Sequence, residues 1–188
     1  GDDDDSGGGG GTEPPDGSDQ TTTTATDGEG EPVQGGEAML LFWAEQASLD
    51  PVRSNPTSGS TGLRDFALYG ALVATDPNTL EVEHVLAESF EPNATFDTWT
   101  LKIRSGITFS DGSTYNAEAV RAHWARIQVP ENRSSALAFA STVASATAVD
   151  ELTLEVKLVE PNSLFDRLVA RSAMNYIPSA EAVASGHD

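Results

Sequence analysis

Residues 99–127 read WTLKIRSGITFSDGSTYNAEAVRAHWARI, and they carry strand, turn and helix signals in one continuous order. Apolar and polar residues alternate over 98–104, which is typical of a strand with one buried face. The pair at 111–112 is Asp-Gly, which suits a tight turn with positive φ. Asn116 is placed to cap a helix over 117–128. Together these signals predict a mixed α/β fold.

The predicted helix is amphipathic. Val120, Trp124 and Ile127 recur on one stripe, whereas Arg121 and Arg126 are expected to face away from it. We therefore expect this helix to pack on the rest of the fold through Trp124.

The flanking segments supply further elements of the same kinds. Two alternating runs over 142–158 meet at Asp150-Glu151, which predicts an antiparallel hairpin. The helical spacing of apolar residues over 63–73 predicts a helix that Ser60 caps. The other predicted elements are a strand at 39–43 buried on both faces, a loop at 45–55, a turn at 76–78, a helix capped by Asn162, a strand at 174–177 and a helix capped by Ser179.

The composition of the chain changes near residue 36. Residues 1–36 contain ten Asp or Glu and no Lys or Arg. Such a stretch cannot bury enough apolar surface to offset its chain entropy, so we predict a disordered acidic Gly/Thr-rich tether. Residues 37–188 are predicted to fold. A tether of this kind is typical of a bacterial lipoprotein after its lipid-bearing cysteine, and a disordered tail without an anchor is the alternative.

Composition also disfavours several classes of function. The chain has 30 acidic and 10 basic residues and a net charge of −20, so it repels nucleic acids and anionic lipid surfaces. Its longest apolar run, 38–44, is too short to cross a bilayer. Cysteine is absent and the three histidines lack zinc-site spacing, so we predict no metal and no cofactor. Asp111 is interpreted as a turn residue rather than a catalytic acid.

Several blocks occur in an order that resembles the family 5 extracytoplasmic solute-binding proteins of ABC importers, which include the oligopeptide, dipeptide and nickel binding proteins. The most specific block is 99–127, with its strand, Gly turn, strand, Asp-Gly turn and capped helix. The other matching blocks are LDP at 49–51, LYGALV at 68–73, LAESFE at 86–91 and AVDELTL at 148–154. Val85 and Ser110 depart from the family pattern, in which proline and histidine are common at these places.

The resemblance implies the N-terminal part of lobe I of a two-lobed periplasmic-binding-protein type II fold, truncated before the second lobe. The ligand would be a peptide or similar small polar solute, held between the lobes without turnover and delivered to the membrane subunits of an ABC permease. The implied location is extracytoplasmic, at the cell surface or in the periplasm, with a lipid anchor. A secreted hydrolase and a cell-surface adhesion module are the alternatives.

The resemblance also implies ligand-binding residues. In such a fold the loop that leaves the first strand points into the cleft, so we expect contacts from Glu45, Gln46, Ala47 and Ser48, mainly through backbone groups. An ordinary surface loop is the alternative. Phe139 lies in the segment from which the family sends an aromatic side chain toward the ligand, and core packing is its alternative role.

Overall fold

The computed structural model of the chain describes residues 35–37, 39, 41 and 48–186. Most of the predicted tether, and residues 40, 42 and 43 of the predicted first strand, lie outside these described residues. The tether, that strand and the boundary between tether and folded part therefore stay predictions.

The described part of the chain contains six strands and five α-helices, with a run of four strands between α1 and α2. The strands are β1 (Val73–Thr75), β2 (Val82–His84), β3 (Ala87–Pro92), β4 (Thr98–Ile103), β5 (Val143–Ala148) and β6 (Thr153–Leu158). The helices are α1 (Gly59–Tyr69), α2 (Ala117–Ile127), α3 (Leu137–Ala140), α4 (Phe165–Ala170) and α5 (Ala180–Ser185). Short 3-10 turns cover Pro51–Arg53, Pro130–Asn132 and Ala173–Asn175. This mixture confirms the predicted α/β class.

The central sheet is antiparallel and has the strand order β3-β4-β6-β5, while β1 and β2 form a separate hairpin. In the middle of the sheet, Leu101 of β4 lies opposite Leu154 of β6 on one side and Phe90 of β3 on the other. The strand predicted at 98–104 and the hairpin predicted over 142–158 are confirmed. Among the described residues β3 and β5 each have one sheet neighbour, so the sheet is open and does not close into a barrel.

Alternation along β4 places its apolar residues on one buried face of the sheet. Six residues from that face and from the apolar stripe of α2 are buried in one core: Trp99, Leu101, Ile103, Val120, Trp124 and Ile127. The Trp124 Nε1 atom donates a hydrogen bond to the Met174 carbonyl at 2.8 Å. Because a buried indole N–H needs an acceptor, this bond fixes how α2 meets the segment after α4.

Three of the predicted local signals form as expected. The Asn116 side chain accepts from the Ala119 amide at 2.9 Å at the start of α2, and Ser179 caps α5 in the same way. At the Asp-Gly turn, Gly112 has a φ of 85°, and Asp111 accepts from the Ser113 amide at 2.8 Å. These bonds satisfy backbone N–H groups that a helix start or a tight turn leaves without a partner.

Helix α1 differs from the sequence expectation in its start and in its buried face. It begins at Gly59, so Ser60 lies in its first turn and the predicted capping role of Ser60 is wrong. Leu63 and Phe66 are exposed, and the buried residues are Thr61 and Asp65 instead. The Asp65 carboxylate is fully buried, and such a group needs a charged partner, which the neighbouring Arg64 supplies at 2.6 Å.

Further differences lie near the ends of the helices. Asn162 accepts from the Leu164 amide at 2.9 Å and α4 starts only at Phe165, so the predicted helix cap at Asn162 is wrong. Arg126 forms an ion pair with Asp50 instead of facing away from the fold.

The strand predicted at 174–177 is also wrong. Residues Ala173–Asn175 form a 3-10 turn, and the Asn175 side chain replaces a neighbouring strand. Its oxygen accepts from the Val73 amide at 3.0 Å, and its nitrogen donates to the Val73 carbonyl at 2.9 Å. An apolar run can therefore be buried here without a strand ladder, because one side-chain amide satisfies the edge of β1.

Candidate ligand-binding cleft

Phe139 lies at the wall of an open hollow of about 460 Å³. The hollow lies between the segment after the first 3-10 turn, the region of α3, and the end of α4. The residues that line it are Asn55, Pro56, Thr57, Ser135, Ala136, Phe139, Leu168, Arg171 and Ser172. Phe139 therefore borders a concave surface, and its predicted role in ligand binding stays a prediction.

A second hollow of about 330 Å³ adjoins the first. The two share Pro56, Thr57 and Arg171 as lining residues. The second one extends past Phe66 to Tyr176. We refer to the two hollows together as the cleft, and its combined size is within the range that accommodates a small ligand.

The wall at Asn55–Thr57 is held through its neighbour Ser54. The Ser135 hydroxyl donates to the Ser54 carbonyl at 2.8 Å, and Arg64 donates to the Ser54 hydroxyl at 3.3 Å. Because Ser54 is buried and bonded on both sides, the loop that follows it is fixed against α1 and against the segment before α3.

Phe139 is half-buried and packs on the core, which is the alternative role considered for it, while its predicted contact with a ligand stays a prediction. Its ring contacts Phe165, with 5.4 Å between the ring centroids. Phe165 is fully buried and also contacts the rings of Phe90, Trp99 and Trp124. Phe139 therefore packs on the core with one side and borders the hollow with another, so its position is set by the core.

The opposite wall is positioned by Asn175. Besides its two bonds to Val73, the Asn175 amide nitrogen donates to the Ala170 carbonyl at 3.2 Å. Ala170 is the last residue of α4, and Arg171 follows it directly. One buried side chain thus ties the end of α4 to β1 and places Arg171 at the junction of the two hollows.

The cleft has a simple electrostatic character. Arg171 is the only charged residue among the described residues that line the two hollows. The hydroxyl groups of Ser135 and Ser172 donate to backbone carbonyls, and Thr57 donates to the side-chain oxygen of Asn55. These hydroxyls therefore present mainly lone pairs to the cleft, while Arg171 and the Asn55 amide nitrogen present N–H donors.

The structure places the predicted contact residues in different situations. Glu45, Gln46 and Ala47 lie outside the described residues, so their predicted role stays a prediction. Ser48 lines neither hollow. Its hydroxyl accepts from the Asp50 amide and its carbonyl accepts from Arg64, each at 3.0 Å. The structure does not bring Ser48 and Phe139 together in one hollow.

Sequence reasoning missed Asn55, Pro56, Thr57 and Arg171. The loop residues carried a weak signal, since Asn-Pro after a polar stretch marks a turn that can leave backbone groups open. Arg171 carried a signal of another kind, because it is one of only 10 basic residues in a chain with 30 acidic ones.

The other side chains that were considered for chemistry have structural roles. His123 is buried, and its Nε2 lies 3.0 Å from the Ala173 carbonyl, so it donates there. The Ser113 hydroxyl lowers the pKa of the Asp111 carboxyl, which keeps this turn residue charged. Over residues 48–186 and the few described before them, no group of three or more metal-ligating side chains occurs. Within the same described residues, no helix has the length and apolar character needed to cross a membrane.

Sequence comparison relates this chain to known proteins. Residues 81–186 match the sequence family described as bacterial extracellular solute-binding proteins, family 5. The glutathione-binding protein GsiB of Escherichia coli strain K12 is 32% identical over 144 residues, which is 77% of this chain and 28% of that protein. GsiB of Pectobacterium atrosepticum is 30% identical over 81% of this chain and 29% of its own length.

Solved structures give the same result. AgaA of A. tumefaciens R10, in complex with agropinic acid, superposes with a TM-score of 0.66 at 26% identity, over 77% of this chain and 29% of that one. MoaA of the same strain, in complex with mannopinic acid, has a TM-score of 0.62 at 29% identity, over 74% of this chain and 29% of that one. The match confirms the fold as part of a periplasmic-binding-protein architecture.

The chain spans about 28% of the length of the curated relatives that it matches. The matched family covers 106 of its 188 residues, counted from 81 to 186, and includes the sheet, α2 and the wall of the cleft at Arg171. The chain belongs to the bacterial extracellular solute-binding proteins of family 5.

Proposed function

We propose that the complete protein is the substrate-binding component of an ABC import system. It captures a peptide or similar small polar solute outside the cytoplasmic membrane and delivers it, unchanged, to the membrane subunits of a permease. The observation that carries this proposal is the cleft, in which an aromatic ring fixed by the core stands beside polar groups and one cation. Such a mixture of apolar wall and few polar anchors is typical of a small-molecule site.

The ligands named for the relatives support a small polar ligand. GsiB is named for glutathione, which is a modified tripeptide. AgaA and MoaA were solved with agropinic acid and mannopinic acid. All three ligands are polar and carry carboxylate groups. The exposed lining residues Asn55, Thr57 and Arg171 leave one side of the cleft open to a ligand and to a second wall.

The test is a binding measurement on the protein encoded by the complete reading frame. Isothermal titration with glutathione and with mixtures of short peptides is expected to show saturable binding of at least one of them. Mass spectrometry of the recovered ligand is expected to show its original mass. Steady formation of a new product would favour the secreted hydrolase, and the absence of binding to every probe would favour the adhesion module.

We further propose that the acidic segment 1–36 tethers the folded part to the outside of the membrane through a lipid anchor. Its composition supports this role, since a segment with ten acids and no base is expected to favour extended, solvated conformations. In cells that express the complete reading frame, the protein is expected in the membrane fraction and to take up labelled fatty acid. Recovery of the whole population in the soluble fraction without label would contradict the anchor.

A further inference from the structure

Arg171 is exposed at the C-terminal end of α4, at the junction of the two hollows of the cleft. Its guanidinium has no ion pair and no side-chain hydrogen bond with any other described residue. Arg64 and Arg126 differ in this respect, since Arg64 is bonded to Asp65 and Arg126 to Asp50. Arg171 thus keeps all five N–H donors available on a concave surface.

The surroundings of Arg171 favour an anion over a neutral ligand. The chain has three acidic residues for each basic one, 30 against 10, yet no carboxylate lines either hollow among the described residues. A bound anion therefore meets the guanidinium without a competing negative charge at the wall. Because the hydroxyls of Ser135 and Ser172 are used as donors to the backbone, the guanidinium is the one charged donor among the described lining residues, and the Asn55 amide can donate beside it.

We propose that Arg171 is the anion anchor of the cleft and that the ligand carries a carboxylate, which the Arg171 guanidinium binds. This inference rests on the proposed function and narrows it from small polar solutes to acids. The planar fork of a guanidinium matches the two oxygens of a carboxylate, so the pair is bidentate and directional. The fixed ring of Phe139 in the same hollow then supplies an apolar contact for the rest of the ligand.

Arg167 provides a control for a purely structural role of Arg171. A cation near the C-terminus of a helix is stabilised by the exposed carbonyls, and Arg167 in the last turn of α4 shares that setting. Arg167 is also exposed, and it lines neither hollow. Arg167→Gln therefore removes the same charge from the same helix without changing the cleft, and it is the matched control for Arg171→Gln.

The experiment uses the complete protein and three mixtures of short peptides. One has free C-terminal carboxylates, one has C-terminal carboxamides, and one has carboxamide ends with an internal glutamate. Binding is measured by isothermal titration for the wild type, Arg171→Gln and Arg167→Gln. The wild type is expected to bind at least one carboxylate-bearing mixture about tenfold or more tightly than the fully amidated one. Arg171→Gln loses that preference and Arg167→Gln keeps it.

The other outcomes separate this inference from the function on which it rests. If the wild type binds all mixtures equally, or if Arg171→Gln keeps the preference, the anchor is overturned while the binding function stands. A lower melting temperature of unliganded Arg171→Gln with an unchanged preference assigns Arg171 a structural role, which also overturns the anchor. If no mixture binds, the proposed function and the anchor fail together. The glutamate mixture shows whether the carboxylate is terminal or belongs to a side chain.

Discussion

Asn175 gives the sharpest test of how the cleft wall is built. Its side chain makes three hydrogen bonds, two to Val73 at 3.0 and 2.9 Å and one to Ala170 at 3.2 Å, and the residue is buried. The substitution Asn175→Ala removes all three bonds and leaves the amide and carbonyl of Val73 without this partner. Asn175→Asp keeps the size and the acceptor but replaces the donor with a second carboxylate oxygen, so it shows the cost of losing the donor and gaining a buried acid without a loss of volume.

The expected cost follows from the burial of these groups. A buried backbone group that loses its partner costs about 1–3 kcal/mol, so the amide and the carbonyl of Val73 together give about 2–6 kcal/mol for Asn175→Ala. That is a large share of the roughly 5–15 kcal/mol by which a domain is stable. Asn78 is the matched control because it is exposed in a turn, and its truncation to Ala is expected to change stability by about 0.5 kcal/mol or less.

The measurement is urea unfolding of the complete protein, followed by far-ultraviolet circular dichroism, for wild type, Asn175→Ala, Asn175→Asp and Asn78→Ala. Hydrogen exchange of the peptide that contains Val73 is a local readout, and its protection is expected to fall in Asn175→Ala and to be largely kept in Asn175→Asp, which retains an acceptor for the Val73 amide. The reasoning is refuted if Asn175→Ala unfolds within about 1 kcal/mol of Asn78→Ala and the Val73 amide keeps its wild-type protection.

Three further predictions concern the core. Burial lowers the pKa of His123 to about 4 in the folded state, whereas an unfolded histidine titrates near 6.5. The unfolded state therefore binds the proton first as the pH drops. The free energy of unfolding falls by about 1.4 kcal/mol per pH unit below about pH 6.5 for this reason. His123→Gln is expected to flatten that slope between about pH 6.5 and 5 in urea unfolding, and parallel curves would contradict it. Leu101→Ala, at a fully buried site in β4, is expected to cost about 2–5 kcal/mol in the same assay, against about 0.5 or less for the exposed Val159→Ala. Trp124→Phe keeps a ring but removes the donor to Met174, so a loss of about 1–3 kcal/mol is expected and an unchanged midpoint would argue against the bond.

The parts of the fold that could be predicted are those with local causes. The alternation at 98–104, the Asp-Gly turn and the Asn116 cap each depend on residues within a few positions, and each formed as expected. The prediction of a strand at 174–177 was wrong because the apolar pattern does not show the hydrogen-bond partner of this segment. That partner is the Val73 backbone, 102 residues away in sequence from Asn175, and no local pattern reports such a contact.

The cleft was even harder to predict from local sequence patterns. Its walls come from three separate segments, near Asn55, near Phe139 and near Arg171, and only the tertiary fold brings them together. The resemblance to a family pointed to Phe139 because a segment of that kind was recognised. It could not point to Arg171, because the meaning of a single arginine depends on the absence of other charges around it, which is a property of the folded surface.

The ring cluster around Phe165 has a practical consequence. Phe139 at the cleft wall touches Phe165, whose centroid lies 5.8 Å from that of Trp99 and 6.2 Å from that of Trp124. A ligand that presses on Phe139 therefore shifts a ring next to two indoles, whose emission depends on their immediate surroundings. Occupancy of the cleft is therefore expected to change the intrinsic tryptophan emission, so that ligands can be screened without attaching a dye to the protein.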